Sequence, residues 1–427
     1  MGKLLKYLRS IPLYLQIVIA LGFAIILGIA LGAGNASPEM QTTIARLALP
    51  SSLILKALRT LATPLILLAV LHSFMTAFIP GKSGRKLSLL LITNTLAAIG
   101  IGLGVANVMQ PGHWGKVAIA PSSQSLGKSL DPWGLLNDMV PDSVVKPLVD
   151  NNVLQLIFVA LAFGIILRGI KAKQIEEGLT DYKPIEQTIS ILFDSVIGIL
   201  HWVINWVPLA VFGIVAKTIA LEGFEPFKKL GALVIAVLVG LFLQACYYLV
   251  RIKLGSWVTP MQFLRQGSDP LITAFSTASS TATMPITYEA LIQKFKLRES
   301  SASLGSLVGS NFNNDGTALY EAMAALFISQ LLGYELSVPQ QITVMLTSIV
   351  ASVGAAGIPE AGLETMTLVF SSVGLPTEYI ALLITVDWFL DRARTAINVM
   401  GDMTVSCLLD GKSKAPDLYS VNDAQLE

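Results

Sequence analysis

The sequence predicts an all-α polytopic membrane protein with eight transmembrane helices and two re-entrant helical hairpins, and three observations carry that expectation. Of 427 residues, 53% are hydrophobic and only 13% are charged, whereas soluble domains average about 25% charged. The mean hydropathy is +0.67. Apolar runs of about 20 residues, the length that crosses a bilayer as a helix, recur along the chain between short clusters of charge. A net charge of +1 gives no basis for nucleic-acid binding. Cys246 and Cys407 lie far apart in apolar segments, where a free thiol acts as a small hydrophobe, so they imply neither a disulfide framework nor a metal site.

The first run, residues 11–33, is too long for a signal-peptide core and lacks a small-residue cleavage pattern, so it reads as the first span. Seven more follow at 51–79, 86–109, 152–170, 188–219, 230–252, 299–332 and 377–409. Lys3, Lys6 and Arg9 place the amino terminus inside. With eight crossings, the later clusters fall on that same side: Lys82, Arg85 and Lys86; Arg168, Lys171 and Lys173; Arg251 and Lys253; Lys294, Lys296 and Arg298; Lys412 and Lys414. Both termini are thus expected in the cytoplasm and the protein in the cytoplasmic membrane. The polar, proline-punctuated stretch 110–150 is the longest outer loop.

Two stretches do not fit as crossings. Residues 259–296 begin and end among inner basic residues, yet hold two apolar halves of about a dozen residues around FSTASSTATMPIT at 275–287. Residues 336–376 repeat the plan from the outer side around SVGAAGIPEAG at 352–362. Irregular backbone at membrane depth is tolerated only where it is buried in protein or lines a cavity. Paired interrupted segments of opposite orientation point to a transporter site near the midplane.

The last run carries DWFLDRARTAINVMGD at 387–402. At about 100° per residue, Asp387, Asp391, Arg394, Thr395, Asn398 and Asp402 share one face of a helix. A charge near the bilayer centre costs from about 3 kcal/mol upward, so such a stripe faces protein or water and handles substrate, ions or protons. The planar fork of Arg394 matches a carboxylate. Asp391 suits an ammonium and Asn398 a second carboxylate, so the face fits an acidic amino acid. The plainer alternative, that Asp391 and Arg394 only neutralise each other, leaves Thr395, Asn398 and Asp402 unexplained.

The seventh run is interrupted by NNDGTALYE at 313–321. A break there frees carbonyls that, with Asp315 and Asp402, form an oxygen-rich cage for a hard cation; the alternative for Asp315 is a helix cap. Glu321, in an apolar context, is a candidate for taking up and releasing a proton. Ser279, Ser280 and Thr281 offer hydroxyls and N–H groups to a carboxylate, and the tip between Gly354 and Gly362 has the freedom of a gate.

These residues resemble the dicarboxylate/amino acid:cation symporters, which include the excitatory amino acid transporters and prokaryotic aspartate and glutamate homologues. Four motifs in order carry the resemblance: SSTATMPIT at 279–287, NDGTALYEA at 314–322, GAAGIPEAG at 354–362 and the stripe at 387–402. It implies the glutamate-transporter (elevator) fold and a homotrimer in the lipid bilayer. The implied division is scaffold helices 1–2 in 1–85, transport helix 3 in 86–110, the outer loop and scaffold helices 4–5 in 111–220, the rest of the transport domain in 221–410 and a cytoplasmic tail in 411–427. Matched by position, Arg394 would bind the side-chain carboxylate of the substrate, Asp391 and Thr395 its amino group, and Asn398 with Ser280 its α-carboxylate. Ser279, Thr317, Ile358 and Gly362 complete the implied pocket. For sodium the resemblance implies Gly309, Asn313, Asn398 and Asp402 at one site, Asp315 and Asn313 with Asn94 and Thr95 at a deeper one, and Ser352 at a third.

The chain departs from the family at Asn314, where the usual residue is Met, and at Asn311, which replaces a small Thr. Arg392 takes over from an arginine that some prokaryotic members carry at the position of Ala278. Glu321 matches the glutamate of proton- and potassium-coupled members. The implied activity is therefore uptake of L-aspartate or L-glutamate driven by sodium, with proton co-transport and potassium counter-transport as further couplings and no cofactor. A proton-coupled, sodium-independent carrier of acidic amino acids or C4-dicarboxylates is the alternative, and a neutral amino acid exchanger a more distant one. A dicarboxylate carrier would be expected to lack Asp391, and a neutral exchanger Arg394. An intramembrane enzyme would need two aspartates facing each other across helices, and the three here share one face. A passive channel is harder to separate by sequence.

Overall fold

The computed structural model describes residues 13–32, 41, 44, 46, 49–76, 81–114, 140–150, 153–354 and 361–413, and among them every regular element is helical. Lys3, Lys6, Arg9, most of the 110–150 connection, Ile358 with the centre of the second hairpin, and Lys414 lie outside the described residues. Helices α1 (Leu13–Ala30), α2 (Leu49–Thr76) and α3 (Gly81–Met109) follow the first three apolar runs. Gln110, with φ of 46°, ends α3 ahead of a 3-10 turn at Pro111–His113. Helix α4 is Val153–Glu176.

The fifth run, expected as one span over 188–219, divides into α5 (Lys183–Ile204) and α6 (Val207–Glu222). Pro208 lies in the first turn of α6, where its missing N–H is harmless but where it cannot extend the ladder of α5. Continuous apolar composition on both sides hides that break in a hydropathy reading. Helix α7 (Glu225–Gly255) is continuous.

Both unusual stretches fold as pairs of short helices. In the first, α8 (Ser268–Thr277) and α9 (Ser280–Gln293) pack on each other and on the final helix. Ala278, left-handed at φ 53°, makes the turn, and the Ser279 hydroxyl caps α9 by accepting from the Ala282 N–H at 3.1 Å. The second pair is α12 (Val338–Gly354) and α13 (Ala361–Ser372), again packed together.

The seventh run is more interrupted than its sequence suggests. Helix α10 (Glu299–Ser303) passes into a π-helical turn, Leu304–Val308, then a single α-turn, Gly309–Phe312, before the chain leaves helical geometry at Asn313 and Asn314. Helix α11 (Asp315–Leu331) resumes at once, so Asp315, Gly316 and Thr317 are helical rather than part of the break. The final helix, α14, is Ile380–Asp410.

Helix α11 is the centre of the molecule. Every residue from Asp315 to Leu331 is buried, against α3, α7, α12, α13 and α14. Elsewhere α6 packs on α1 and α2, and α2 packs on α4 and α5. The end of α14 is tied down at Asp410, which accepts from Trp257 Nε1 at 2.7 Å and Arg298 Nε at 2.9 Å. Lys86 Nζ donates to the carbonyls of Leu408 and Leu409 at 2.9 and 3.2 Å, placing a cation at the negative end of that helix.

Large apolar side chains point outward, among them Phe23, Ile26, Leu89, Phe163, Ile191 and Phe242. Such a surface belongs in lipid rather than water. Among the described residues, Gly84–His113 and Phe227–Gly255 are long and apolar enough to cross a bilayer by length and composition alone; Leu15–Ala30, Thr63–Thr76 and Pro208–Leu221 are shorter apolar helices.

The turn after α3 is fixed by one side chain of α11: Gln330 Oε1 accepts from the Gly112 N–H at 3.0 Å while its Nε2 donates to the Ala106 carbonyl at 3.1 Å. Gln330→Leu strands the buried Gly112 N–H, a loss of about 1–3 kcal/mol. The expected outcome is a melting temperature several degrees lower in detergent, and an unchanged value would show that the clamp contributes nothing.

Candidate functional site

The polar stripe of α14 faces inward as its helical spacing requires. Asp387, Asp391, Arg394, Thr395, Asn398 and Asp402 are all buried, Arg394 completely. What they meet is the break between Phe312 and α11. Asn398 joins the two: its Oδ1 accepts from the Gly316 N–H at 2.8 Å, and its Nδ2 donates to Asn314 Oδ1 at 3.3 Å and Thr317 Oγ1 at 3.4 Å. The approach is close enough that a Cβ on Gly316 would lie 2.7 Å from the Arg394 carbonyl oxygen.

The guanidinium of Arg394 lies between two carboxylates and an aromatic face. Nη2 donates to Asp391 at 2.8 Å, Nη1 is 3.0 Å from Asp387, and Cζ is 4.2 Å from the Tyr320 ring centroid. Only the Asp391 contact is an aligned hydrogen bond; Nε and Nη1 are buried without an aligned acceptor, and both Asp387 oxygens without an aligned donor. A buried charge normally needs all its hydrogen-bonding capacity met. A planar donor fork with unused capacity fits a carboxylate ligand. Gly362, at the start of α13, approaches the same place, since a Cβ there would lie 3.1 Å from Thr317 Cγ2 and 3.3 Å from Arg394 Nη1.

A second cluster surrounds Asp402. Asn313 Nδ2 donates both to Asp402 Oδ1 and to the Asn398 carbonyl, each at 3.0 Å, while Asn313 Oδ1 is buried without a partner. Gly309 is adjacent, because a Cβ there would lie 3.1 Å from Asp402 Oδ1. The amide protons of Asn313 thus bridge oxygens of the kind a hard cation takes. Turning that amide by half a rotation presents its free oxygen to the same position. On this donor chemistry the residues fit a hard cation with oxygen ligands.

Asp315 lies deeper. It does not cap the break; Thr95 Oγ1 donates to its Oδ1 at 2.7 Å and Tyr248 OH to its Oδ2 at 2.5 Å. Thr95 therefore meets Asp315 as expected, whereas Asn94 Oδ1 is held by Arg251. Asn314 Nδ2 donates to the Ser352 carbonyl at 3.0 Å, so the residue that departs from the family pattern reaches the expected third site. Glu321 is fully buried; Thr365 donates to its Oε1, and Oε2 has no partner.

The first hairpin is placed less directly. Ser279 is occupied as the cap of α9, and Ser280 Oγ donates to the Ser310 carbonyl at 3.5 Å, on the turn before the break. Arg392 Nη1 donates to the carbonyls of Phe275 and Ser276 at 3.1 and 2.5 Å, fastening α14 to the end of α8 beside Ala278. Thr395 is buried next to Arg394. Sequence reasoning missed Tyr320, Tyr248, Arg251 and Thr365. A tyrosine within an apolar run was the available signal for the first two, because a buried phenol needs a polar partner.

A profile described as the Sodium:dicarboxylate symporter family matches residues 13–412. The chain is 29% identical to mouse excitatory amino acid transporter 3, over 96% of this chain and 87% of that protein. The human form of that transporter is 30% identical over 92% of this chain and 84% of its own length. Mouse excitatory amino acid transporter 4 is 39% identical over 62% of this chain and 46% of its length.

The contact between α11 and α14 leaves no room at Gly316. Gly316→Ala should weaken substrate binding by tenfold or more, about 1.4 kcal/mol, measured by substrate-dependent uptake. Gly100→Ala, with nothing within 4 Å of the new methyl group, is the control; equal losses in both would refute the close-packing account.

Proposed function

The chain belongs to the Sodium:dicarboxylate symporter family, membrane transporters rather than enzymes, and we propose that it takes up acidic amino acids, L-aspartate or L-glutamate, as a secondary active symporter driven by sodium. The observation that carries the substrate class is Arg394, completely buried and with donors left over beside Asp391 and Thr395. The guanidinium binds the side-chain carboxylate, Asp391 with Thr395 the ammonium, and Asn398 with Ser280, Thr317 and Ser279 the α-carboxylate end; Gly362, and Ile358 by its sequence position, close the pocket. The names of its relatives, excitatory amino acid transporters, agree with that class.

Sodium is taken at Asp402 with Gly309, Asn313 and Asn398, where the amide of Asn313 rotates as the ion enters. Asp315 with Asn313, Asn94 and Thr95 lines a deeper cation position, and Ser352 near the second hairpin is a further position on the sodium path. Glu321 carries a proton inward, and potassium leaves on the return step. The helix groups support an elevator: α1, α2, α4, α5 and α6 pack mainly among themselves as a scaffold, and α3 with α7 to α14 packs on α11 or α14 as the moving body, with α12 and α13 resting on α2. Eight helices cross the bilayer, the two helix pairs re-enter it, both termini are cytoplasmic and three copies assemble.

A proton-coupled, sodium-independent carrier of the same substrates is the second reading. It is favoured by the Asn314 amide on the Ser352 carbonyl, which occupies an oxygen that a sodium ion would need.

Uptake of radiolabelled L-aspartate and L-glutamate into proteoliposomes decides between them, with an inward sodium gradient, a proton gradient or neither, and with internal potassium varied. Sodium-driven uptake is expected; uptake driven by protons alone would establish the second reading. Arg394→Ala should reduce acidic-substrate uptake at least about thirtyfold, since truncating one partner of a buried charge pair costs about 2–5 kcal/mol. Retained aspartate uptake by that variant would overturn the pocket. Glu321→Gln should leave substrate exchange intact and flatten the pH dependence of net uptake, and an unaltered pH profile would remove Glu321 from proton coupling.

A further inference from the structure

By sequence Arg251 is one of the basic residues that mark the inner side. It lies one turn before the end of α7 at Gly255, where an arginine ordinarily extends its guanidinium to interfacial water. An open cavity of about 490 Å3, also lined by Lys86 and Lys412, adjoins it. Yet Nη1 turns inward. It donates to Asn94 Oδ1 and, at 3.1 Å, to Thr93 Oγ1, with Tyr247 OH at 3.4 Å. Asn94 is completely buried, so the half-buried guanidinium, while still lining the cavity, directs one nitrogen to an interior acceptor.

The neighbouring acid is equally committed. Thr95 and Tyr248, both neutral donors, hold the two oxygens of Asp315. Thr95 follows Asn94 directly, so the guanidinium and Asp315 are held by adjacent residues of α3. A guanidinium keeps its proton under all physiological conditions. Its charge is therefore permanent, and because it is tethered it crosses with the protein in both directions and contributes nothing to net ion flow. In a medium of low polarisability two cations sharing one ligand set repel strongly.

We propose that Arg251 stands in for the sodium ion of the deep site, so that this protein moves one sodium ion fewer per substrate than a chain with the same acids and no guanidinium there. The inference rests on the reading above in which Asn94, Thr95, Asn313 and Asp315 line a cation position. Asp402 with Asn313 is unaffected and keeps its ion.

The test uses the full-length protein in proteoliposomes and 22Na+. Sodium taken up per aspartate is measured for the wild type, Arg251→Gln and Arg251→Lys. Arg251→Gln is expected to gain one sodium ion per substrate and a steeper sodium dependence, while Arg251→Lys retains the wild-type ratio; a purely structural role would not move the ratio. Equal ratios in the wild type and Arg251→Gln would overturn the proposal. Should Arg251→Gln fail to transport, equilibrium 22Na+ binding to the purified variant decides, with one additional ion expected and an unchanged number overturning the proposal. The absence of wild-type acidic amino acid uptake under every gradient would refute the substrate reading alone, because the binding comparison still decides the role of Arg251.

Discussion

Asn398 holds the molecule together at its most polar point. Through its side chain it bonds Gly316, Asn314 and Thr317, and its carbonyl accepts from Asn313. Without those bonds the break in the seventh apolar run would expose backbone groups in a medium that offers no water, which no membrane protein tolerates. The two segments flanking the break, the stripe of α14 and the approach of Gly362 are all arranged around this one amide. It also explains why the break is only two residues long, since each residue added to it would need its own partner.

Around that fixed point, bonding is uneven in an informative way. Asp410 and Gln330 lie at the ends of helices, and Arg392 reaches the end of α8, with hydrogen bonds made there. Arg394, Asp387, Asn313 and Glu321 lie in the interior with atoms unmatched. Burying an unmatched polar atom costs about 1–3 kcal/mol, so such atoms persist where a ligand or an ion completes them. Among the described residues, half of the unmatched buried atoms lie on α14 and α11, and the rest are on Asn94, Gln174, Gln244, Asn313 and Ser348.

Charge accounting ties the clusters together. Asp387 and Asp391 flank one guanidinium, Asp315 accepts from Thr95 beside the Asn94 that holds another, and Asp402 accepts from an amide. The acid lacking a nearby tethered cation is therefore the one at which an external cation gains most. The proposed substrate and ion positions are contiguous, because Asn313 touches Asp402 on one side and Asn398, through its carbonyl, on the other. On that proposal, binding in one cluster reorients groups that belong to the next, which is a physical route for coupling.

Composition, the length of the apolar runs and the period of the α14 stripe settled the helical class and the identity of the inward-facing residues without any coordinates. A polar group in an apolar helix has so few places to go that its spacing alone fixes its face. The four motifs likewise identified the family. Three-dimensional packing decided what those rules cannot reach. The split at Pro208 and the π-turn at Leu304–Val308 sit inside uninterrupted apolar composition, so hydropathy does not register them. The partners of Asp315 come from Thr95 and Tyr248, 220 and 67 residues away, and the inward turn of Arg251 depends on where Asn94 falls across a helix interface. Periodicity is a property of one helix; the pairing of charges belongs to two, and only the fold brings the second one near.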